Sequence, residues 1–315
     1  MESPSEFTLP TEIVHTRGRG IPAQVDLYVL NRTGNDRKLV DSSGINNYAS
    51  WSPDGIQIVF QGNRGRPTEI YVINADGTGE RNISNSAEFD EHPVWSTVGS
   101  RVIFESARSG DVDLWIADLN SGQLTDLTPF IGKERDPSWS GDGLQIAYSG
   151  RPSGVYDIYV MDPAGQNQRN ITNTLGTDEF TPKFSPDGQT IAFVSGGQLQ
   201  IVRTDSSERK QITFLQDSVE NAPPQWAPDV KSILIQTRGG EIYTVHSDGT
   251  GVTNLSANPA IDKHARWSPD GQWIAFESNR IGGIVQVFVM RSDGSGVRQV
   301  TFNQYGSAMP EWAPK

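Results

Sequence analysis

The chain has 315 residues, a formal net charge of −12 and no cysteine. Without cysteine there are no disulfides, thiolate nucleophiles or cysteine-bound zinc, and the acidic charge argues against nucleic acid as a partner. No apolar run approaches the ~18 residues of a membrane span, which predicts no membrane insertion. The opening residues MESPSEFTLP lack the basic region and apolar core of a signal peptide.

The first predicted elements are three short strands near residues 12–15, 25–29 and 38–40, which follow an N-terminal extension of residues 1–11. Apolar and polar residues alternate in these segments, as expected for half-buried strands. The stretch WSPDGIQIVFQGNR then begins at Trp51, and similar stretches recur to the end of the chain.

Each recurring unit begins with an aromatic residue, which we call its anchor. The anchors are Trp51, Trp95, Trp139, Phe184, Trp226, Trp267 and Trp312, separated by 44, 44, 45, 42, 41 and 45 residues. Each unit reads as a strand ending at the anchor, a turn of the Ser-Pro-Asp-Gly type, an apolar strand, a loop, a third strand, an Asp-Gly turn and a brief fourth strand.

This period, with four strands per unit, predicts an all-β propeller that occupies residues 12–315 as a single domain. The last unit stops just after its first strand, and the N-terminal strands supply the missing three. A last blade built from both termini gives seven blades and removes the open edge of the ring. The alternative is six blades, if the N-terminal strands do not pair with the last unit.

The repeats resemble the WD40-like PD40 repeats of TolB-type propellers. The aromatic-Ser-Pro-Asp-Gly core is intact at Trp51, Phe184 and Trp267 and degraded in the other units. The resemblance implies a propeller fold and a bacterial, periplasmic or extracellular setting. Neither the α/β domain of TolB nor the hydrolase domain of propeller peptidases is expected in this chain, so the role of TolB in the Tol-Pal system does not transfer directly.

The residues before the anchors are the candidate ligand-binding positions, because we expect them to converge at the mouth of the central channel. Five residues before each anchor stands an oxygen-bearing side chain: Asn46, Asp90, Glu134, Glu179, Asn221, Asp262 and Ser307. Three residues before each anchor the set is more varied: Tyr48, His92, Asp136, Thr181, Pro223, His264 and Met309.

Two interpretations of the oxygen-bearing positions stay open. In the first, Asp90, Glu134, Glu179 and Asp262 bind a cation such as Ca²⁺, which prefers six to eight oxygen ligands, or a positively charged group. In the second, they pair with arginines of the loop after the second strand and join the blades. Those arginines are Arg17, Arg64, Arg108, Arg151, Arg238 and Arg280.

The sequence therefore predicts a monomeric, non-enzymatic binding module that docks a protein or peptide on its channel face. Asn46, Asp90, Glu134, Glu179, Asn221, Asp262, His92, Asp136 and His264 are its candidate ligand-binding residues. No cofactor is expected unless Ca²⁺ binds. The alternatives are a propeller that binds a metal or small ligand, and a lyase or hydrolase that uses His92 and His264 as acid and base groups. No Gly-x-Ser-x-Gly nucleophile motif is present.

Overall fold

The computed structural model describes residues 7–19, 24–64, 67–129, 132–152 and 154–315. These residues form 28 strands in seven four-stranded antiparallel sheets. Contacts between the first strands of successive sheets run around the whole ring. The predicted seven-bladed propeller is thus confirmed.

The strands are short, as expected for a chain with frequent Gly, Pro and Asp turns. In chain order they are β1 (Ile13–Gly18), β2 (Val25–Leu30), β3 (Asp36–Lys38), β4 (Asn46–Trp51), β5 (Gln57–Gly62), β6 (Glu69–Asn74), β7 (Arg81–Asn82), β8 (Asp90–Trp95), β9 (Arg101–Ser106), β10 (Asp113–Asp118), β11 (Leu124–Asp126), β12 (Glu134–Trp139), β13 (Ile146–Gly150), β14 (Asp157–Met161), β15 (Arg169–Asn170), β16 (Glu179–Phe184), β17 (Thr190–Ser195), β18 (Gln198–Arg203), β19 (Arg209–Gln211), β20 (Gln225–Trp226), β21 (Ser232–Gln236), β22 (Ile242–His246), β23 (Thr253–Asn254), β24 (Asp262–Trp267), β25 (Trp273–Ser278), β26 (Gln286–Arg291), β27 (Arg298–Gln299) and β28 (Ser307–Trp312).

Blades 1 to 6 each take four consecutive strands, β4–β7 through β24–β27, and blade 7 has the order β28-β1-β2-β3. The two ends of the chain therefore close the ring, with Ile13 opposite Trp312 and Val14 opposite Glu311. Leu9, in the predicted N-terminal extension, is buried in the same seam. None of the described segments forms a helix of the length and apolarity needed to cross a bilayer.

The hydrophobic core is divided into seven clusters, each shared by two neighbouring blades. One cluster joins Val14 and Leu27 of blade 7 to Ile58 and Phe60 of blade 1, and the others repeat this arrangement around the ring. Since each blade buries both of its faces against neighbours, an open ring would expose one apolar face at each end.

The anchors pack at these blade interfaces, as their fixed position in the repeat predicts. Four of the indoles also donate Nε1–H to a backbone carbonyl on the first strand of the preceding blade; the pairs are Trp51 with Glu311, Trp226 with Lys183, Trp267 with Gln225 and Trp312 with Arg266. The anchors thus fix neighbouring blades by both burial and hydrogen bonding.

The turn after each anchor is a local scaffold. In blade 6 the Ser268 hydroxyl donates to Asp270 Oδ1 at 2.6 Å, and the Gln272 N–H donates to the same oxygen at 3.0 Å. Such side-chain bonds to the turn are what favour Asp and Ser there. Asp270 is therefore committed to the turn.

The up-and-down order of the strands gives the propeller two distinct faces. One carries the loops from second to third strands and from fourth strands to the next blade; we call it the loop face, and residues 83–89, 212–224, 279–285 and 300–306 belong to it. The opposite face carries the tight turns, such as residues 52–56 and 140–145, and we call it the turn face.

Closure of the ring predicts a large cost for substitutions in its seam. Ile13 is fully buried between Leu30 and Trp312, whereas Ile56 on the turn face is 62% exposed. We expect Ile13→Ala to lower the free energy of unfolding by about 2–5 kcal/mol and Ile56→Ala to change it by less than about 0.5 kcal/mol. Urea denaturation measures both free energies of unfolding. Equal effects of the two substitutions would contradict the closure of the ring by β1 and β28.

Candidate functional site

A cavity of about 420 Å³ lies at the centre of the ring. The seven side chains three residues before the anchors all line it: Tyr48, His92, Asp136, Thr181, Pro223, His264 and Met309. The set that is most varied in the sequence is therefore the set that the cavity presents to a ligand.

A β-bulge places these side chains on the cavity wall. In six blades the first strand shifts its register next to this position, and the residue there has a φ of 50–56°. This left-handed conformation is uncommon for residues other than glycine, and a bulge of this kind redirects side chains at the inner edge of a sheet.

The preceding blade holds most of these bulges by a side-chain acceptor. The N–H groups of His92, Asp136, His264 and Met309 donate to Gln61, Glu105, Gln236 and Glu277, respectively, at 2.7–2.9 Å. Pro223 has no N–H to donate, and in the preceding blade the position of these acceptors is occupied by Val194, whose side chain cannot accept a hydrogen bond. The acceptors therefore lock the bulges between blades and satisfy donors that would otherwise be unpaired.

Two of these acceptors also bind a histidine side chain. His92 Nδ1 lies 3.3 Å from Glu105 Oε2, and His264 Nδ1 lies 3.0 Å from Glu277 Oε2. Burial opposes the protonation of His92, but the adjacent Glu105 carboxylate and the other nearby negative charges outweigh burial and raise its pKa. Burial also opposes the ionisation of Glu277, but the adjacent His264 ring lowers the pKa of this carboxyl.

Asp136 lies next to the His92–Glu105 pair on the wall of the cavity. Burial, and then the charge of Glu105, raise the pKa of Asp136 to about 6. Asp136 Oδ2 accepts the N–H of Thr181 at 3.2 Å. The carboxyl therefore titrates in a range in which most aspartates are fully ionised.

The rest of the cavity carries both signs of charge. On the cavity wall, Glu220 lies 2.8 Å from the ammonium of Lys263, which is not part of the wall, and the Arg266 guanidinium lies 2.8 Å from Glu311. Burial lowers the pKa of Lys183, which also lines the cavity. These charged groups were not among the residues predicted from the sequence.

Of the positions five residues before the anchors, only Asn221 lines the cavity. Asn46, Asp90, Glu134, Glu179, Asp262 and Ser307 are buried at 0–3% exposure and point into the blades. His92, Asp136 and His264, the other predicted ligand-binding residues, do line it. The predicted set is thus divided between the cavity wall and the interior of the blades.

Arginines pair with several of the buried positions. Arg108 Nη2 lies 2.8 Å from Asp90 Oδ2, Arg280 Nη2 lies 3.0 Å from Asp262 Oδ2, and Arg64 donates to Asn46. Glu179 pairs at 2.7 Å with Arg209, which comes from the fourth strand rather than from the expected loop.

The other predicted arginines lie elsewhere. Arg17 pairs with Asp36, and Arg151 donates to the Gly154 carbonyl. Arg238 is exposed on the loop face.

The four carboxylates predicted as metal ligands lie in four different blades. Asp90, Glu179 and Asp262 each face their own arginine, and Glu134 lies against Asp113. Within the part of the chain that the structure describes, no group of three or more His, Asp or Glu side chains could hold a metal ion. Binding of Ca²⁺ by this chain stays a prediction.

The loop face carries most of the exposed large apolar side chains of the described residues. On it lie Ile45, Phe89, Leu175, Phe214, Ile261, Ile281, Ile284, Val285, Phe302 and Tyr305, whereas the turn face has Ile56, Val98, Leu144, Val252 and Val297. The most exposed are Leu175 at 97%, Phe214 at 82% and Phe302 at 76%. The sequence analysis did not single out these residues, although a Thr-Phe pair two residues after the fourth strand recurs at Phe214 and Phe302.

The family model of the TolB β-propeller domain (PD40) matches residues 21–148, 76–241 and 218–315. Curated relatives are 33–36% identical over 80–102 residues, and the chain spans only 15–31% of their length.

Three solved structures share the fold. TolB from Acinetobacter baumannii has a TM-score of 0.60 and 20% identity, covering 96% of this chain and 82% of that one. An oligogalacturonate lyase from Vibrio parahaemolyticus has a TM-score of 0.65 and 13% identity, and the match covers 89% of this chain and 91% of that one. A puromycin-hydrolysing peptidase from Mycobacterium tuberculosis has a TM-score of 0.74 and 12% identity, and the match covers 94% of this chain and 53% of that one. At these identities the likeness shows the fold alone.

The raised pKa of Asp136 makes a prediction about pH. Because the folded state keeps a proton that the unfolded state releases, Asp136 costs stability as the pH rises from about 4 to 6. The free energy of unfolding of Asp136→Asn, relative to that of the wild type, should therefore increase by about 1–3 kcal/mol as the pH rises from 3.5 to 7.

Asp142→Asn is the control of opposite sign. The hydrogen bond from Ser140 lowers the pKa of Asp142, so its ionised form stabilises the fold above that pKa. The free energy of unfolding of Asp142→Asn, relative to that of the wild type, should therefore decrease as the pH rises over the same range. Urea denaturation at several pH values measures both variants, and a pH-independent difference for Asp136→Asn would contradict the assignment.

Proposed function

Because the chain belongs to the TolB β-propeller domain (PD40) family, we propose that it is a binding module that docks a protein or peptide on its loop face, over the mouth of the central cavity. The observation that carries this proposal is the concentration of exposed aromatic side chains on that face. Phe89, Phe214, Phe302 and Tyr305 are 54–82% exposed, and all four lie in loops that lead into first strands.

An excess of exposed apolar side chains on one face of the ring favours a docking surface there. Single exposed apolar residues are ordinary, but their uneven distribution between the two faces points to the face that is available for interaction. Aromatic residues in particular serve as anchors in protein interfaces. The rigid blades beneath would present such anchors with little loss of conformational entropy on binding.

The charge of the loop face favours a partner with basic groups. Among its described residues the exposed acids are Asp41, Glu88, Asp111, Asp178 and Asp217, and the exposed basic residues are Lys133, Arg151 and Arg238. The net charge of −12 has the same sign, so electrostatic steering would favour a basic partner. The proposed module is monomeric, and the family supports a periplasmic or extracellular setting for it.

Site-specific photo-crosslinking tests the docking face. A photoreactive phenylalanine analogue at Phe214 or Phe302 should form a discrete adduct with a partner in an extract of the source cells, because both side chains would be covered in the complex. The matched control is the same analogue at Leu144, which is 66% exposed on the turn face. No adduct from either loop-face position, or equal adducts from Leu144, would contradict the proposal.

A lyase or hydrolase is the second candidate function, and one observation favours it. His92 and His264 line the same cavity, and each is bound to a glutamate, an arrangement suited to general acid–base chemistry. In this case the wild type should turn over a substrate from a panel of peptides and oligosaccharides, and His92→Ala and His264→Ala should each lose that activity.

The control for this screen is His246→Ala, because His246 is exposed at the end of β22 on the turn face. Its activity should equal that of the wild type. If the wild type and all three variants behave alike on every substrate, the enzymatic candidate is rejected.

A further inference from the structure

Three blades contain the same arginine slot between the start of the first strand and an aromatic pair. In blade 2 the Arg108 guanidinium bonds Asp90 and lies 4.7 Å from the ring centre of Trp115. In blade 6 Arg280 bonds Asp262 and lies 4.9 Å from the ring of Phe276.

Blade 1 repeats this slot with Arg64, which donates to Asn46 and lies 4.4 Å from the ring of Tyr71. Charge-assisted bonds and cation–π contacts together hold the guanidinium in all three blades.

Blade 4 fills its slot from a different strand. Gly197 stands where blades 1, 2 and 6 have the slot arginine. Arg209 of the fourth strand reaches in instead, bonds Glu179 at 2.7 Å and lies 5.2 Å from the ring of Phe193. The repeat can therefore supply the guanidinium from two positions.

Blade 3 has a basic residue at neither position. The loop position is Pro152, two residues after Gly150, which pairs with Glu134. On the fourth strand, the registers align Arg169 with Lys210 of blade 4, so the residue that corresponds to Arg209 is Gln168. Arg151 is directed to the Gly154 carbonyl, at 2.7 Å.

A cavity of about 240 Å³ occupies this place in blade 3, lined by Glu134, Tyr148, Tyr159 and Gln168 among others. Glu134 is 3% exposed, its Oε2 has no hydrogen-bond partner, and it takes part in no ion pair among the described residues. Asp90, Glu179 and Asp262 also keep one oxygen without a partner, but each bonds an arginine through its other oxygen. An unpaired buried carboxylate oxygen is costly, and here it faces a space of the right kind for a cation.

The aromatic pair of the slot is retained in blade 3. Tyr148 and Tyr159 stack with ring centres 5.5 Å apart, as Phe60 and Tyr71 do at 5.6 Å in blade 1. The Tyr148 hydroxyl donates to Gln168 Oε1 at 3.2 Å. Acid and aromatic faces are thus in place without the guanidinium that blades 1, 2, 4 and 6 hold between them.

We propose that this vacant arginine slot of blade 3 binds a guanidinium group from outside the chain, as an arginine side chain of a peptide or protein or as a free alkylguanidinium. The group would bond Glu134 and lie against Tyr148 and Tyr159, as Arg64 does in blade 1. The slot opens beside the exposed Pro129 and Pro152 of the loop face. The proposal goes beyond docking on that face, since a free alkylguanidinium would bind without a protein partner.

The protonation of Glu134 makes the binding depend on pH. Burial, and then the charge of Asp113, raise the pKa of Glu134 to about 8. The other titratable groups that face it are Asp111, Tyr148 and Tyr159. A cation requires the ionised carboxylate, so binding releases a proton near pH 7, and the affinity should rise about tenfold from pH 7 to 9.

Thermal unfolding with ethylguanidinium as the probe tests the slot. At ten times its Kd the ligand should raise the Tm of the wild type by about 2 °C. Gln168→Arg should abolish this response, because its own guanidinium would fill the slot as Arg209 does in blade 4. Glu134→Gln should also abolish it, because the neutral amide keeps the shape of the slot but not its charge.

The two variants also control for general effects of the salt on stability, and titration calorimetry at pH 7 and pH 9 gives the affinities. No response in the wild type, or a response that either variant retains, would overturn the proposal.

A second arm distinguishes the sources of the group. An acetylated, amidated tripeptide Gly-Arg-Gly should bind if the slot takes an arginine of a polypeptide, and only ethylguanidinium should bind if it takes a free metabolite; both results support the guanidinium site. Equal binding of Gly-Lys-Gly would overturn the assignment to guanidinium. Since the crosslinks from Phe214 and Phe302 do not depend on Glu134, failure of the slot and failure of the docking face give different results.

Discussion

The buried carboxylate at the start of a first strand is the constraint on which the blade interior depends. A carboxylate removed from water needs a cation and hydrogen bonds, or it must take up a proton. In blades 2, 4 and 6 an arginine meets this need, while aromatic rings of the same blade cover the guanidinium. In these three blades the ion pair thereby ties the innermost strand to the loop after the second strand or, in blade 4, to the fourth strand. The anchors and apolar clusters then join the blades into a ring.

The sequence predicted the architecture well because the signals for it are local and repeated. The spacing of the anchors gave the number of blades, and the truncated last unit predicted the pairing of β28 with β1. Asp-Gly and Ser-Pro-Asp-Gly turns act through bonds within a few residues, as Ser268 and Asp270 show. Such features need no knowledge of distant contacts.

The site was harder to predict because a bulge changes which side chains face the channel. In a regular strand, the residues five and three before the anchor would point the same way. The bulge at His92 and His264 breaks that alternation, so Asp90 and Asp262 point into the blades. A one-residue irregularity of this kind leaves no clear mark on a single sequence.

Side-chain contacts between residues that are distant in the chain also could not be predicted from the sequence. Arg151 and Arg238 were grouped with Arg108 although they stand one position earlier in the loop, and Arg209 reaches its slot from another strand. The exposed aromatics of the loop face become a set only when the fold brings separate loops together.

The repeat is most informative where it fails, because a slot built for arginine and left without one shows what the scaffold can accept. A crystal structure of the protein with ethylguanidinium at saturating concentration tests this account most directly. It predicts planar density in blade 3, within hydrogen-bonding distance of Glu134 Oε2 and against the rings of Tyr148 and Tyr159. An empty slot in crystals that hold the ligand elsewhere, or a side chain of this chain filling the slot, would contradict it.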